Sequence, residues 1–99
     1  MSTEYKFQEV LDWVNGVRAE HNIGAPLDAL PLGQCSSATT CPIARALSTD
    51  AAEACVGTVG IDLYEGLVRV DTFPTTPYIA AFITAFDSGA YPELDESTH

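Results

Sequence analysis

Apolar residues return at intervals of three and four near the start of the chain: Phe7, Val10, Leu11, Val14 and Val17, with His21 closing the stripe. That is the period of an amphipathic helix. Glu9, Asp12, Gly16 and Glu20 fall on the opposite side, and Trp13 flanks the stripe. Ser2 or Thr3 supplies the side-chain acceptor for the first orphan backbone N–H groups. Asn22 or Gly24 supplies the left-handed residue that ends the run. The spacing therefore predicts a helix over 3–21. The pattern then dissolves. Pro26, Pro31, Gly33 and the stretch 36–40 mark a loop, with Leu27, Leu30 and Leu32 to anchor it on the core. A short second helix is predicted over 42–48. Pro42 fits the first turn, where its missing N–H costs nothing, while Ile43, Ala46 and Leu47 share a face and Arg45 points away. Asp50 and Glu53 have the spacing of a capping box and predict a further turn.

Beyond that point the residues favour strands. Val56, Val59, Ile61, Leu63, Leu67, Val68 and Val70 surround a Glu65-Gly66 turn signal. They predict a hairpin within 55–71, its strands over 55–63 and 67–71. Gly57 and Gly60 weaken the first strand or mark a bulge. A lone hairpin is marginal in water, so this one must pack on the helices. Thr75-Thr76-Pro77 repeats the cap-and-proline start. Tyr78, Ile79, Phe82, Ile83, Ala85 and Phe86 follow at helical spacing, and Ser88-Gly89 stops a helix predicted over 76–88. Tyr91, Pro92 and Leu94 make a short apolar clasp. The expected architecture is α+β: one compact domain over 1–92, two amphipathic helices and a short helix packed on a hairpin, with an acidic, frayed tail over 93–99.

Charge narrows the function classes. The 99 residues carry 4 Lys+Arg against 14 Asp+Glu, a formal charge of −10. Residues 1–49 hold three cations against five acids, a balance of −2; residues 50–99 hold Arg69 alone against nine acids, a balance of −8. So acidic a chain disfavours direct contact with nucleic acid, which needs clustered Lys and Arg to release counterions. It equally disfavours anionic lipid. No apolar run approaches the ~18 residues of a membrane span, and the first residues lack the pattern of a secretory signal. What remains is a basic partner or simple solubility. If Asp50, Glu53, Asp62, Glu65, Asp71 and Asp87 share one face, the domain can mimic DNA phosphates and inhibit a DNA-binding protein.

Three cysteines, Cys35, Cys41 and Cys55, are an odd number for a disulfide framework. With His21 or His99 they contain the donors of a Cys₃His zinc site, although five residues between Cys35 and Cys41 exceed the usual spacing of about 2–4. A Cys35–Cys41 disulfide and three small, partly buried thiols are the alternatives. Cys41, at a helix start, is placed to have a lowered thiol pKa. Cys41, His21 and Asp28 have the residue types of a catalytic triad but no local signature. Val56-Gly57-Thr58-Val59-Gly60 lacks the third glycine and the helix of a dinucleotide loop. Trp13, Tyr78 and Tyr91 are candidates for an apolar contact with a partner or with a second copy, since a domain of this size leaves much surface unburied.

The Phe7–Trp13 helix, the Cys35-to-Cys41 loop running into Pro42-Ile-Ala-Arg-Ala-Leu47, the Gly/Val-rich hairpin and the closing segment from Tyr78 to Leu94 together resemble small proteins of unknown function encoded by actinobacteriophages, mycobacteriophages especially. The resemblance implies expression in the reducing cytoplasm of a bacterial host and carries no catalytic residues. The reading that follows is a non-enzymatic protein that binds a host or phage protein, without a cofactor unless zinc is held by the cysteines. A homodimer is compatible with it.

Overall fold

The computed structural model describes residues 7–57 and 59–98. Helix α1 (Gln8–Glu20) is followed by α2 (Pro42–Leu47), strands β1 (Glu53–Val56), β2 (Gly60–Glu65) and β3 (Val68–Pro74), helix α3 (Pro77–Asp87) and two 3-10 turns, Pro92–Leu94 and Glu96–Thr98. The radius of gyration is 13.0 Å, the value of a single globule of about 100 residues.

Each helix forms where the apolar period places it. The α1 stripe Val10, Leu11, Val14 and Val17 is buried, and Asn22, at φ 54°, takes the left-handed position just past the end. The start expected at Thr3 and its capping residues lie outside the described residues. In α2 the N-cap is Cys41, whose sulfur accepts from the Ala44 N–H at 3.4 Å. In α3 it is Thr76, whose hydroxyl accepts from the Ile79 N–H at 3.2 Å. The turn expected to be capped by Asp50 is capped by its neighbour instead. Thr49 Oγ1 accepts from the N–H groups of Ala51 and Ala52, and Glu53 already belongs to β1.

The expected hairpin is a three-stranded antiparallel meander in the order β1-β2-β3. The run of β-formers over 55–63 is not one strand. The chain reverses between Gly57 and Gly60, joined by a Gly57 N–H to Gly60 C=O bond of 2.9 Å, so that Val56 pairs with Ile61. Ala54, Val56, Ile61 and Leu63 alternate onto the buried face, as the two-residue period of a strand requires. Between β2 and β3, Gly66 at φ 63° meets the positive-φ demand of the first position in a tight hairpin loop. The register then slips. Leu63 faces Asp71 but Tyr64 faces Arg69, which leaves Val70 as the extra residue of a β-bulge.

The loop between α1 and α2 is pinned by polar groups the apolar pattern does not reveal. The Asn15 amide bonds the backbone of Leu27 twice, donating to its C=O at 3.0 Å and accepting from its N–H at 2.8 Å. The Arg18 guanidinium donates to the C=O groups of Ala25 and Ala46. Leu30, within that loop, is buried.

The chain after α3 is not frayed through residue 98. Leu94 is buried, the Gly33 N–H donates to the Leu94 C=O at 2.8 Å, and the Glu96 N–H donates to the Gly33 C=O at 2.9 Å. Arg45, expected to point away from its helix into solvent, makes two bonds to the Glu96 carboxylate, at 2.5 and 3.1 Å. Charge composition suggests fraying; an apolar anchor and a matched cation prevent it. The Arg45 hydrogen bonds, and after them one from Gln34, hold the Glu96 carboxyl below the usual carboxylate range. A depressed folded pKa contributes stability above the ordinary Glu value of about 4.3, lost as pH falls through the lower folded one. In an NMR pH titration, Glu96 is expected to protonate below the ordinary Glu value of about 4.3.

Candidate functional site

The cysteines are separated by the packing. Cys35 donates its S–H to the Phe86 C=O at 3.2 Å and to Asp95 Oδ2 at 3.4 Å. The Cys41 sulfur turns into the first turn of α2, and Cys55 lies on the outer face of β1. All three are free thiols, so the Cys35–Cys41 bridge does not form. His21 is elsewhere: its ring stacks on Phe73 at 4.6 Å and its Nδ1 lies 2.5 Å from Asp71 Oδ2. The Cys₃His set is therefore not assembled, and among the described residues no three His, Cys, Asp or Glu side chains converge to hold a metal. His99 lies outside the described residues.

Burial raises the Cys41 thiol pKa, outweighing the backbone N–H groups that lower it, and the expected activation by the helix start is thereby reversed. Burial and the hydrogen bond to Asp95 likewise raise that of Cys35. Cys41 is only 4% exposed. In the native protein a bulky thiol reagent is expected to spare Cys41 and label it only at the rate of unfolding. Mass spectrometry of timed labelling checks this; fast native labelling at Cys41 would contradict the packing. The triad fails on the same geometry. Cys41 lines a cavity with Ser36, Ser37 and Asp87, whereas the cavity at His21, about 260 Å³, holds Thr49, Glu65, Val70 and Asp71 but no cysteine.

The six acids do not make one face. Cys55 pairs with Asp62 and Leu63 with Asp71, so successive acids alternate across the sheet. Glu53 and Asp62 stand on the outer face, Asp62 4.0 Å from Arg69. Glu65 and Asp71 line the cavity of the opposite face with the buried Leu63. Asp87, at the end of α3, accepts from the Ser36 N–H at 2.8 Å, and Asp50 stands in the loop before β1. A phosphate-like row needs one surface, and the strand period divides these carboxylates between two.

The aromatic candidates also divide. Trp13 packs against the core. Tyr91 stacks on Phe82 at 5.2 Å and meets Phe7 edge-on at 5.1 Å. Tyr78 is 52% exposed beside a groove of about 300 Å³ lined by Phe7, Ala81 and Phe82.

Three of the five large apolar side chains exposed among the described residues gather where β2 turns into β3, Val59 and Tyr78 lying elsewhere. Leu67 is 100% exposed, Val68 64% and Val70 49%. β3 ends the sheet, and among the described residues its outer edge has no neighbouring strand. The other edge is treated differently, since the Val56 N–H of β1 donates to the Ala38 C=O of the loop beside it at 2.8 Å. Unpaired edges template further strands unless charge, bulges or cover protect them. β3 has one bulge and two charges, Arg69 and Asp71, but Arg69 is engaged by Asp62 and Asp71 by His21. The sequence hides this surface because Leu67, Val68 and Val70 read as core-forming strand residues. Leu67 stands in the turn and Val68 pairs with Glu65 at the end of the hairpin, while the bulge takes Val70 out of the alternation that would have placed it opposite Leu63.

No family model matches this chain, and neither does any curated protein or solved structure. Among the described residues no helix is long and apolar enough to cross a membrane.

Proposed function

We propose that this chain is a binding domain acting by protein–protein contact, and that it takes an extended segment of its partner as a fourth strand against β3. The unpaired outer edge of β3, with Leu67, Val68 and Val70 exposed along it, carries this reading. In strand addition the backbone groups of the edge supply affinity, and the side chains alternating on the two faces supply selectivity. Here one set meets Tyr64 and Arg69 on the outer face. The other meets the cavity of Val70, Glu65 and Asp71 beside His21. The reading as a binder without turnover is supported by the separation of His21 from every cysteine. It is also supported by the absence of any buried polar or charged residue among those described, since catalytic acids and bases are commonly tuned by burial. The resemblance to actinobacteriophage proteins directs the search to host and phage proteins of the bacterial cytoplasm.

The test is affinity capture from such a host with the wild-type chain and with Val68→Lys/Val70→Lys as baits, at low and high salt. A partner retained by the wild type and absent from the variant is expected. Retention persists in high salt because apolar and backbone contacts are screened far less than surface charge. A partner held equally by both baits would overturn the assignment to β3, and turnover of a substrate by the purified chain would overturn the binding reading.

A further inference from the structure

The segment after α3 occupies a groove built wholly from earlier parts of the chain, and its contacts are of a kind a second copy can supply. Tyr91 lies against Phe82 and Phe7, and Leu94 is buried in the core. Gly33 holds the backbone from both sides, through the Leu94 C=O and the Glu96 N–H. Arg45 grips both carboxylate oxygens of Glu96, and Gln34 Nε2 donates to Oε1 at 2.6 Å. The groove thus reads an aromatic ring, a leucine three residues later and a carboxylate two beyond that. Between α3 and this segment only Ser88, Gly89 and Ala90 intervene, all exposed, with Gly89 at φ 88°. Opening at that joint moves residues 91–96 as a unit; it breaks the parallel bridge between Gly33 and Asp95 but none of the pairing within the three-stranded sheet.

We propose that this groove is also an interface between copies of the chain: residues 91–96 of one copy seat in the groove of another, and reciprocal exchange gives a two-fold dimer. The contacts formed between chains are those formed within one, so exchange is set by the effective concentration of the tethered segment. For a short connection this is on the order of millimolar. The wild-type chain is therefore monomeric at micromolar concentration and dimerises near that range. Exchange of an identical element is a low-cost route to dimers.

Two single charge variants test it. Glu96→Arg sets two arginines against each other, and Arg45→Glu sets two glutamates, whether the segment is seated in its own chain or in another copy of the same variant. Only an equimolar mixture, with segments exchanged between unlike chains, matches a cation to an anion at both grooves. In native mass spectrometry and sedimentation, each variant alone is expected to be monomeric at about 0.1 mM, roughly tenfold below the range where the wild type associates. The mixture is expected to give a heterodimer at that concentration. The double variant R45E/E96R, which restores the pair within one chain, is expected to be monomeric. A mixture that stays monomeric, with circular dichroism showing both variants folded, overturns the proposal. Should a variant fail to fold, the peptide 91–97 titrated into the wild-type chain decides. NMR shifts at Gly33 and Arg45, half-saturated at about millimolar peptide, support it, and unshifted resonances through that range overturn it.

Discussion

Replacing Gly33 by alanine is expected to destabilise the protein by about 3 kcal/mol, near the upper end for an overpacked core. For a domain of this size that lowers Tm by roughly 12–24 °C. A Cβ at Gly33 would stand 2.4 Å from the Pro42 nitrogen, 2.5 Å from its Cδ and 2.6 Å from the Cys41 carbonyl carbon. These atoms belong to the backbone and ring at the start of α2, so no rotamer change relieves the overlap. Moving Gly33 away breaks its two bonds to the C-terminal segment, and moving Pro42 away lifts α2 from the core. The same substitution at Gly16 has the opposite sign. Gly16 lies on the exposed face of α1, and a Cβ there meets no heavy atom within 4 Å. Gly16→Ala is expected to stabilise by about 0.5–1 kcal/mol, the helix-propensity difference. Thermal and denaturant unfolding of the two variants checks the contrast; equal effects would mean that Gly33 is not at a close backbone approach.

Val68→Lys/Val70→Lys is expected to weaken partner binding about 100-fold while leaving folding stability within about 0.5 kcal/mol. Burying an apolar side chain of this size is worth roughly 1.5 kcal/mol or more. Two such losses approach 3 kcal/mol, or two decades in Kd. Folding is insensitive because both side chains already face solvent in the free domain. Titration calorimetry with the captured partner, beside melting curves of the two proteins, separates the effects. A parallel loss of binding and stability would mean that the variant had disturbed the sheet.

Local periodicity made the helices legible. α3 combines a Thr-Pro start with apolar residues at 79, 82, 83 and 86, and each of those four side chains is buried. The sheet was harder because β-formers run through its first turn, and only Gly57 and Gly60 mark the place where β1 and β2 separate. Features set by distant partners were beyond local pattern. Arg45 meets a carboxylate 51 positions later, and Asn15 satisfies a loop twelve residues on. Cys41 shows two physical terms in competition: the helix start lowers a thiol pKa, but burial raises it more. The acidity legible in composition was divided between the two faces of the sheet by the strand period. The candidate surface emerged where an apolar pattern failed to be buried, at Leu67, Val68 and Val70.

Hydrogen exchange of the intact chain, alone and saturated with its captured partner, tests strand addition at β3. A fourth strand gives the backbone N–H groups of β3 that face outward new acceptors. Exchange over 68–74 is therefore expected to slow on binding, while α1 and α3 keep the protection of the free protein. Protection confined to α3 or to the C-terminal segment, with 68–74 unchanged, would contradict the assignment of β3 as the binding edge.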